Sequence, residues 1–359
     1  MSKLSLAATA IGSLPHNNAK EATELIWREF KDVPFWPQLS QVSPLEDMII
    51  QYSQNIPGMS VNLEEQTFVF NANSDEFFEQ LEEFYLDYDE IVEQGNLEKL
   101  DKYGITQPYS SSIDLFCTEL KDKKYDFAKG HITGPFTWGT SISDTEGKCI
   151  FYDETYRDIE IKALTLKALW QIKKFKEVNP NVTPIIFMDE PTMSQFGTSA
   201  FITIQENDIV DSLKQVASIL QKNGALVGVH CCGKTDWNIV LKSGIDIMNF
   251  DTYSFAKSIT VYSDTINDFI KNGGYVAWGI VPTLDQDALI ASTKESLLER
   301  LENCIDMLSE KGIDKNLLLK SSIITPSCGA GCLTIELAQK AMTLVNEISK
   351  ELKSKYEVN

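Results

Sequence analysis

Short apolar runs, each about one strand long, alternate along the chain with longer segments whose apolar residues recur at helical spacing. Eight runs read as strands: residues 4–11, 33–36, 130–133, 184–188, 225–229, 246–250, 275–280 and 319–324. Helical patterns follow several of them, at 154–176, 206–222, 286–311 and 333–353. The stretch between the second and third runs, about residues 40–127, reads as a mostly helical insertion with a hairpin at 60–71. No low-complexity linker divides the chain and no short repeat recurs. Eight strand–helix units in a chain of 359 residues predict an α/β protein, a single (β/α)8 TIM barrel over residues 1–359. A doubly wound open sheet is the alternative.

The residues that break the pattern sit at strand ends. Ile11-Gly12-Ser13-Leu14-Pro15 closes the first run and Pro37-Gln38 the second. Thr133-Gly134-Pro135, Asp189-Glu190-Pro191 and His230-Cys231-Cys232-Gly233 close the third, fourth and fifth. Asp251, Pro282-Thr283 and Pro326-Ser327-Cys328-Gly329 close the last three. A barrel gathers all eight ends on one face, where the active sites of such barrels lie.

Composition narrows what that face can do. The net charge is −20, and Arg28, Arg157 and Arg300 are the only arginines. Nucleic acid or a phosphate-rich ligand needs basic clusters, and none is present. Much of the acidity falls on predicted helices such as 74–92, where a solvated face explains it. The N-terminus lacks a secretory pattern, and no apolar run is long enough to span a membrane. The expected location is the cytoplasm, where the seven cysteines stay reduced. Clustered Cys and His then point to metal or catalysis rather than to disulfides.

His230 and Cys232 are two residues apart at a strand end, so alternation sends both side chains one way and Cys231 the other. Cys328 arrives from the end of the eighth run. Imidazole and thiolate suit Zn2+, and three protein ligands leave a fourth position open for a substrate. Asp251 is placed to fill or share that position, and Cys332 is an alternative third ligand. Cys117, Cys149 and Cys304 have no polar context and read as packing residues. Two thiolates make zinc a weaker Lewis acid, which favours activation of a bound thiol over hydrolysis.

With these residues the sequence resembles the catalytic half of cobalamin-independent methionine synthase. It also resembles the related zinc methyltransferases of the uroporphyrinogen decarboxylase-like superfamily. The resemblance rests on Ile11-Gly12-Ser13-Leu14-Pro15, Thr133-Gly134-Pro135, Asp189-Glu190-Pro191, His230-x-Cys232, Asp251 and Cys328-Gly329, in that order over nearly the whole chain. It implies a TIM-type barrel, zinc held by His230, Cys232 and Cys328, and methyl transfer to a thiol, homocysteine giving methionine. Asp251 stands where the family has a glutamate ligand, so it binds the metal directly or acts on it from behind. The turn at Ile11, Gly12 and Ser13 would hold the substrate carboxylate and Asp189 its ammonium. His131 is placed to shuttle the thiol proton, and Trp138 and Trp278 either line the pocket or belong to the core.

Two departures bear on substrate and donor. The family uses a glutamate after the second strand, but here no carboxylate precedes Glu46. A different thiol, such as coenzyme M, therefore stays open. The chain has one barrel where the full synthase has two, and few cations to grip a polyglutamyl folate. The donor expected of such single-barrel proteins is a methylcobamide, carried by a corrinoid protein. Decarboxylation of a porphyrinogen would need arginine clamps that the strand ends lack. A non-catalytic zinc- or corrinoid-binding accessory protein is the reading outside enzymology.

Overall fold

The computed structural model describes residues 3–62, 67–123 and 125–357. Among the described residues, nine strands follow one another. They are β1 (Ala7–Ala8), β2 (Met59–Asn62), β3 (Thr67–Phe70), β4 (Phe127–Thr133), β5 (Thr183–Asp189), β6 (Leu226–Cys231), β7 (Ile247–Phe250), β8 (Tyr275–Val281) and β9 (Ser322–Pro326). Seven form one parallel sheet in the order β1-β9-β8-β7-β6-β5-β4. Helices stand between its strands, as right-handed βαβ crossovers require.

The second predicted strand, 33–36, does not form a regular ladder. Pro34 and Pro37 remove two backbone donors from it, and a proline cannot give its share of a sheet bond. What remains is a set of single pairs that joins the two edges of the sheet. Lys129 N–H donates to the Pro34 carbonyl at 2.8 Å, and Trp36 N–H to the Lys129 carbonyl at 2.9 Å. On the other side Gln38 N–H reaches the Gly12 carbonyl and Leu14 N–H the Gln38 carbonyl, both at 3.0 Å. The seven-stranded curled sheet with this eighth segment is compatible with the expected TIM-like fold.

Alternation sorts the side chains into two apolar clusters. A small one inside the curled sheet contains Leu4, Ala7, Ile185, Phe187, Ile247, Ala277 and Ile323. A much larger one lies between the sheet and its helices and contains the residues of opposite parity, such as Ile186, Met188, Val229, Met248 and Ile324. Cys231 belongs to the outer cluster and is buried there. The parity argument for choosing Cys232 over Cys231 thus agrees with the packing. Trp138 and Trp278 are also fully buried core residues, with their indole N–H groups bonded to the Ile49 carbonyl and the Ser322 hydroxyl.

Element bounds differ from expectation for local reasons. The first strand shrinks to Ala7–Ala8 because Leu6 sits at φ +56°, a left-handed conformation that strands do not use. Leu319 is in the helix Lys315–Lys320, so the last strand starts at Ser322. The predicted helix 286–311 is two helices, Gln286–Ala291 and Lys294–Glu310, because Thr293 caps the second through a reciprocal bond with Ser296. Thr334 caps the final helix, Ile335–Lys355, which leaves Cys332 exposed in the preceding turn rather than in the first helical turn. Residues 206–222 are helical as predicted.

Between Gln38 and β4 lie the antiparallel β2–β3 hairpin, the helices Phe77–Val92 and Ile113–Asp122 and several short 3-10 turns. Residues 63–66, which belong to the stretch 60–71 expected to form a hairpin, lie outside the described residues. No helix among the described residues is long and apolar enough to cross a membrane.

A helix side chain reaches into the sheet at one place. Gln171, on the helix Glu154–Val178, accepts from His131 N–H at 3.0 Å and donates to the His131 carbonyl at 2.8 Å. Gly130 leaves the room: a Cβ there would lie 2.1 Å from the Gln171 amide oxygen. Gly130→Ala should therefore displace Gln171 and strand buried polar groups, at a cost of about 1–3 kcal/mol. A lowered urea midpoint with unchanged slope would show it; an unchanged midpoint would disprove the role of Gln171.

Candidate metal centre

Parallel pairing sets the residues of the pocket floor side by side. Thr133 pairs with Asp189, Asp189 with His230, and His230 with Asn249. Partners in register share a face, so these four side chains belong to the inner wall of the sheet. Cys232 follows two residues after His230 with the same parity, and Cys328 enters from the loop after β9.

His230, Cys232 and Cys328 each contribute one donor atom to a group lying within 4.8 Å of one another. Such a triplet of imidazole and two thiols can hold a metal ion. His230 is oriented for it. Its Nδ1 bonds the Asn249 amide oxygen at 2.5 Å, and its buried Nε2 has no protein partner. The Cys328 backbone is clamped by Thr283, whose hydroxyl donates to the Cys328 carbonyl at 2.9 Å and accepts its N–H at 3.0 Å.

The two thiols are unequal. A hydrogen bond from Cys328, together with His230, pulls the Cys232 thiol down to about 4 against the effect of burial. The bond to Cys232 and burial push the Cys328 thiol up. Of the two, Cys232 is the one whose surroundings favour the thiolate. Burial works against a charged His230, but the Cys232 thiolate, Asp189 and Asn249 outweigh it and raise its pKa. Divalent-cation binding would have to displace the remaining thiol proton.

Asp251 is buried beside this group but is not drawn into the triplet. Its Oδ1 accepts from Ser254 N–H at 2.8 Å and caps the short helix Thr252–Phe255. Burial raises its pKa, as does the nearby Cys232. Asp189 is lifted to about 6 by burial, with His230 and Lys129 pulling the other way, and its Oδ1 has no partner. Glu190 points away, as alternation implies. Its carboxylate accepts from Phe136 N–H at 3.0 Å, Thr137 N–H at 2.8 Å and the Thr137 hydroxyl at 2.7 Å, so it caps the helix Pro135–Ser141.

The turn at Ile11, Gly12 and Ser13 meets the Cys328 loop directly. Ala330 N–H donates to the Ser13 carbonyl at 2.9 Å, and a Cβ on Gly329 would lie 2.1 Å from the Ser13 hydroxyl. His131 lies under this turn, inside β4 rather than beside a loop. It stacks on Trp36 with ring centroids 5.0 Å apart, and a Cβ on Gly12 would come within 2.8 Å of its ring. Both ring nitrogens lack partners, and burial, helped by Lys129, keeps the imidazole neutral. His131 is not part of the metal triplet.

Three residues here had no flag in the sequence reading, and Thr283 was named there only as part of a strand end. Asn249 and Thr283 are one-strand neighbours of the motifs, visible only once register is known. Lys129 is fully buried, donates to the Ile11 carbonyl and lies 4.3 Å above the Phe187 ring centroid. Asp47 comes from the loop after Gln38, just beyond Glu46. The Glu46 side chain itself is buried and accepts from Ser111 N–H at 2.8 Å, so it ties down the insertion. Asp47 and Asp189 both lie within electrostatic reach of the Tyr52 hydroxyl, which donates to the His131 carbonyl at 3.1 Å. Asp47, whose Oδ1 accepts from Ile49 N–H at 2.9 Å, thus adds a second negative charge near Tyr52.

No protein-family model and no curated protein matches the chain. Among solved structures, a B12-independent methionine synthase from Shewanella sp. W3-18-1, in complex with selenomethionine, has a similar fold. It aligns over 99% of this chain and 100% of its own, at 12% identity and a TM-score of 0.58. An endo-beta-1,4-mannanase double mutant from Cellulomonas fimi aligns over 72% of this chain and 61% of its own, at 12% identity and a TM-score of 0.37. The first likeness establishes a shared fold.

Burial lifts Glu190 to about 7 in the folded protein. An acid with a raised folded pKa stabilises the fold below its unfolded value and loses that contribution as pH rises through the folded one. Stability should thus fall between about pH 4.5 and 7, with a slope of up to about 1.4 kcal/mol per pH unit from this group. Glu190→Gln should flatten that slope in denaturant titrations across the range, and an unaltered slope would contradict the assignment.

Proposed function

We propose that residues 1–359 form one methionine synthase-like barrel domain, with residues 40–127 as its insertion, and act as a zinc-dependent thiol S-methyltransferase. The observation that carries this reading is the His230–Cys232–Cys328 triplet at the sheet's C-terminal edge, with the His230 Nε2 unpartnered. The likeness in fold to the B12-independent methionine synthase supports it.

His230, Cys232 and Cys328 would hold the zinc, with Asp251 as a fourth group beside them. Bound there, zinc would lower the pKa of a substrate thiol and keep it nucleophilic at neutral pH. Homocysteine is the acceptor that fits best. Its carboxylate would sit at the Ile11–Ser13 turn, which Lys129 holds through the Ile11 carbonyl. Its ammonium would face Asp189, and Asp47 adds negative charge on the same side. His131, neutral and unbonded, is available to take up the thiol proton, with Trp36 fixing its plane. The buried setting of these groups strengthens each charge interaction and excludes competing water.

For the donor we propose a methylcobamide presented by a corrinoid protein. What supports it is the acidic balance: a polyanionic polyglutamyl folate would meet a chain of net charge −20, with 52 acidic residues against 32 basic ones and no basic cluster in the sequence. The solved relative is described as B12-independent, so the donor is tested separately from the acceptor.

Purified protein should contain one zinc per chain, and Cys232→Ser or Cys328→Ser should lose both the metal and thiol methylation. Stoichiometric zinc retained in either variant would refute the ligand set. In a second assay, methylcobalamin should methylate homocysteine while methyl-folate should not, and the reverse outcome would overturn the donor. Turnover of coenzyme M in preference to homocysteine would reassign the acceptor.

A further inference from the structure

We propose that Asn249 is the positioning residue of the metal centre: it fixes the tautomer and aim of His230 and ties the strands that carry the ligands into one unit. The inference rests on the zinc reading above and adds a residue to it.

The direction of each bond follows from what the amide has left to give. The Asn249 Nδ2 carries two protons, and both are spent: one on the Ala277 carbonyl at 2.9 Å, the other on the Thr325 hydroxyl at 2.8 Å. A flipped amide would set its oxygen against the Ala277 carbonyl, which accepts only, so the flip is excluded there. The amide is therefore locked with Oδ1 toward His230. An oxygen there can only accept, so the proton of a neutral imidazole must sit on Nδ1, across the 2.5 Å bond. The Nε2 lone pair is then left facing Cys232 and Cys328, and Nε2 is the ring atom without a protein partner.

The same amide spans four adjacent strands. His230 is on β6, Asn249 on β7, Ala277 on β8 and Thr325 on β9, three residues before Cys328. All four groups are buried, so water does not compete for the bonds. One side chain thus holds the strand that bears two ligands against the strand that leads to the third. Residues behind a ligating histidine typically change metal affinity by about 10- to 100-fold when removed.

Chelator competition with zinc on the full chain tests this without reference to activity. Asn249→Leu should weaken zinc binding by about 10- to 100-fold. Asn249→Asp keeps an acceptor for the Nδ1 proton but loses the donors to Ala277 and Thr325. It should bind zinc within a fewfold of the parent. Thr325→Val should give a smaller loss than Asn249→Leu. If the role were only to stitch strands together, Asp and Leu would weaken binding equally, and that result would overturn the proposal. So would unchanged affinity in Asn249→Leu, with circular dichroism confirming that each variant is folded. Nitrogen shifts of the His230 ring at alkaline pH give a second readout: Nδ1–H in the parent and in Asn249→Asp, a mixture of tautomers in Asn249→Leu. Retention of pure Nδ1–H in Asn249→Leu would also overturn it. Absence of zinc binding in the parent chain would instead remove the metal reading on which the inference stands.

Discussion

The whole site depends on parallel pairing in register. Asp189 opposite His230, and His230 opposite Asn249, put three polar side chains in a row on the inner wall. A slip of one residue would turn all of them into the apolar layer under the helices. The outer layer resists such a slip, because Met188, Val229 and Met248 are fully buried there. Hydrophobic burial on one face thus fixes polar chemistry on the other. Gly228 shows how closely the two are fitted: a Cβ there would meet the Phe187 ring at 2.5 Å, in the layer just below the row.

Polar groups in that row are affordable only because most are committed. Asn249 is fully used, Thr283 both gives and receives, and Glu190 satisfies the helix start behind the wall. Along this inner wall the Asp189 Oδ1, the His230 Nε2 and the ring nitrogens of His131 are left without a hydrogen-bond partner. Unpaired buried polar atoms are costly, and a ligand seated against this wall would offset that cost.

Much of this was legible in the residues. The strand ends carried the motifs, alternation separated Cys232 from Cys231, and the helix 206–222 had its predicted bounds. What was not legible depended on geometry between distant parts of the chain. Asn249 sits inside an ordinary apolar run, Ile247–Phe250, and gains its meaning only from the strands on either side. Lys129 stands just before the predicted third strand, outside every motif, and is fully buried. The second strand failed as a regular element because two prolines outweighed its aromatic residues. Asp47 was passed over because the loop that carries it folds back over β4, where Thr133 bonds Met48 and Trp138 bonds Ile49.

The proline-bearing segment at 34–38 has one more consequence. In the ring of strands it stands directly across from β7, the strand of Asn249. The wall is thus continuous ladder where the ligands are set and a row of isolated bonds on the far side. The segment meets the sheet only through the isolated pairs of Ser13 with Gln38 and Phe35 with Lys129. Far fewer backbone bonds tie that side of the sheet than tie the strands that carry the ligands.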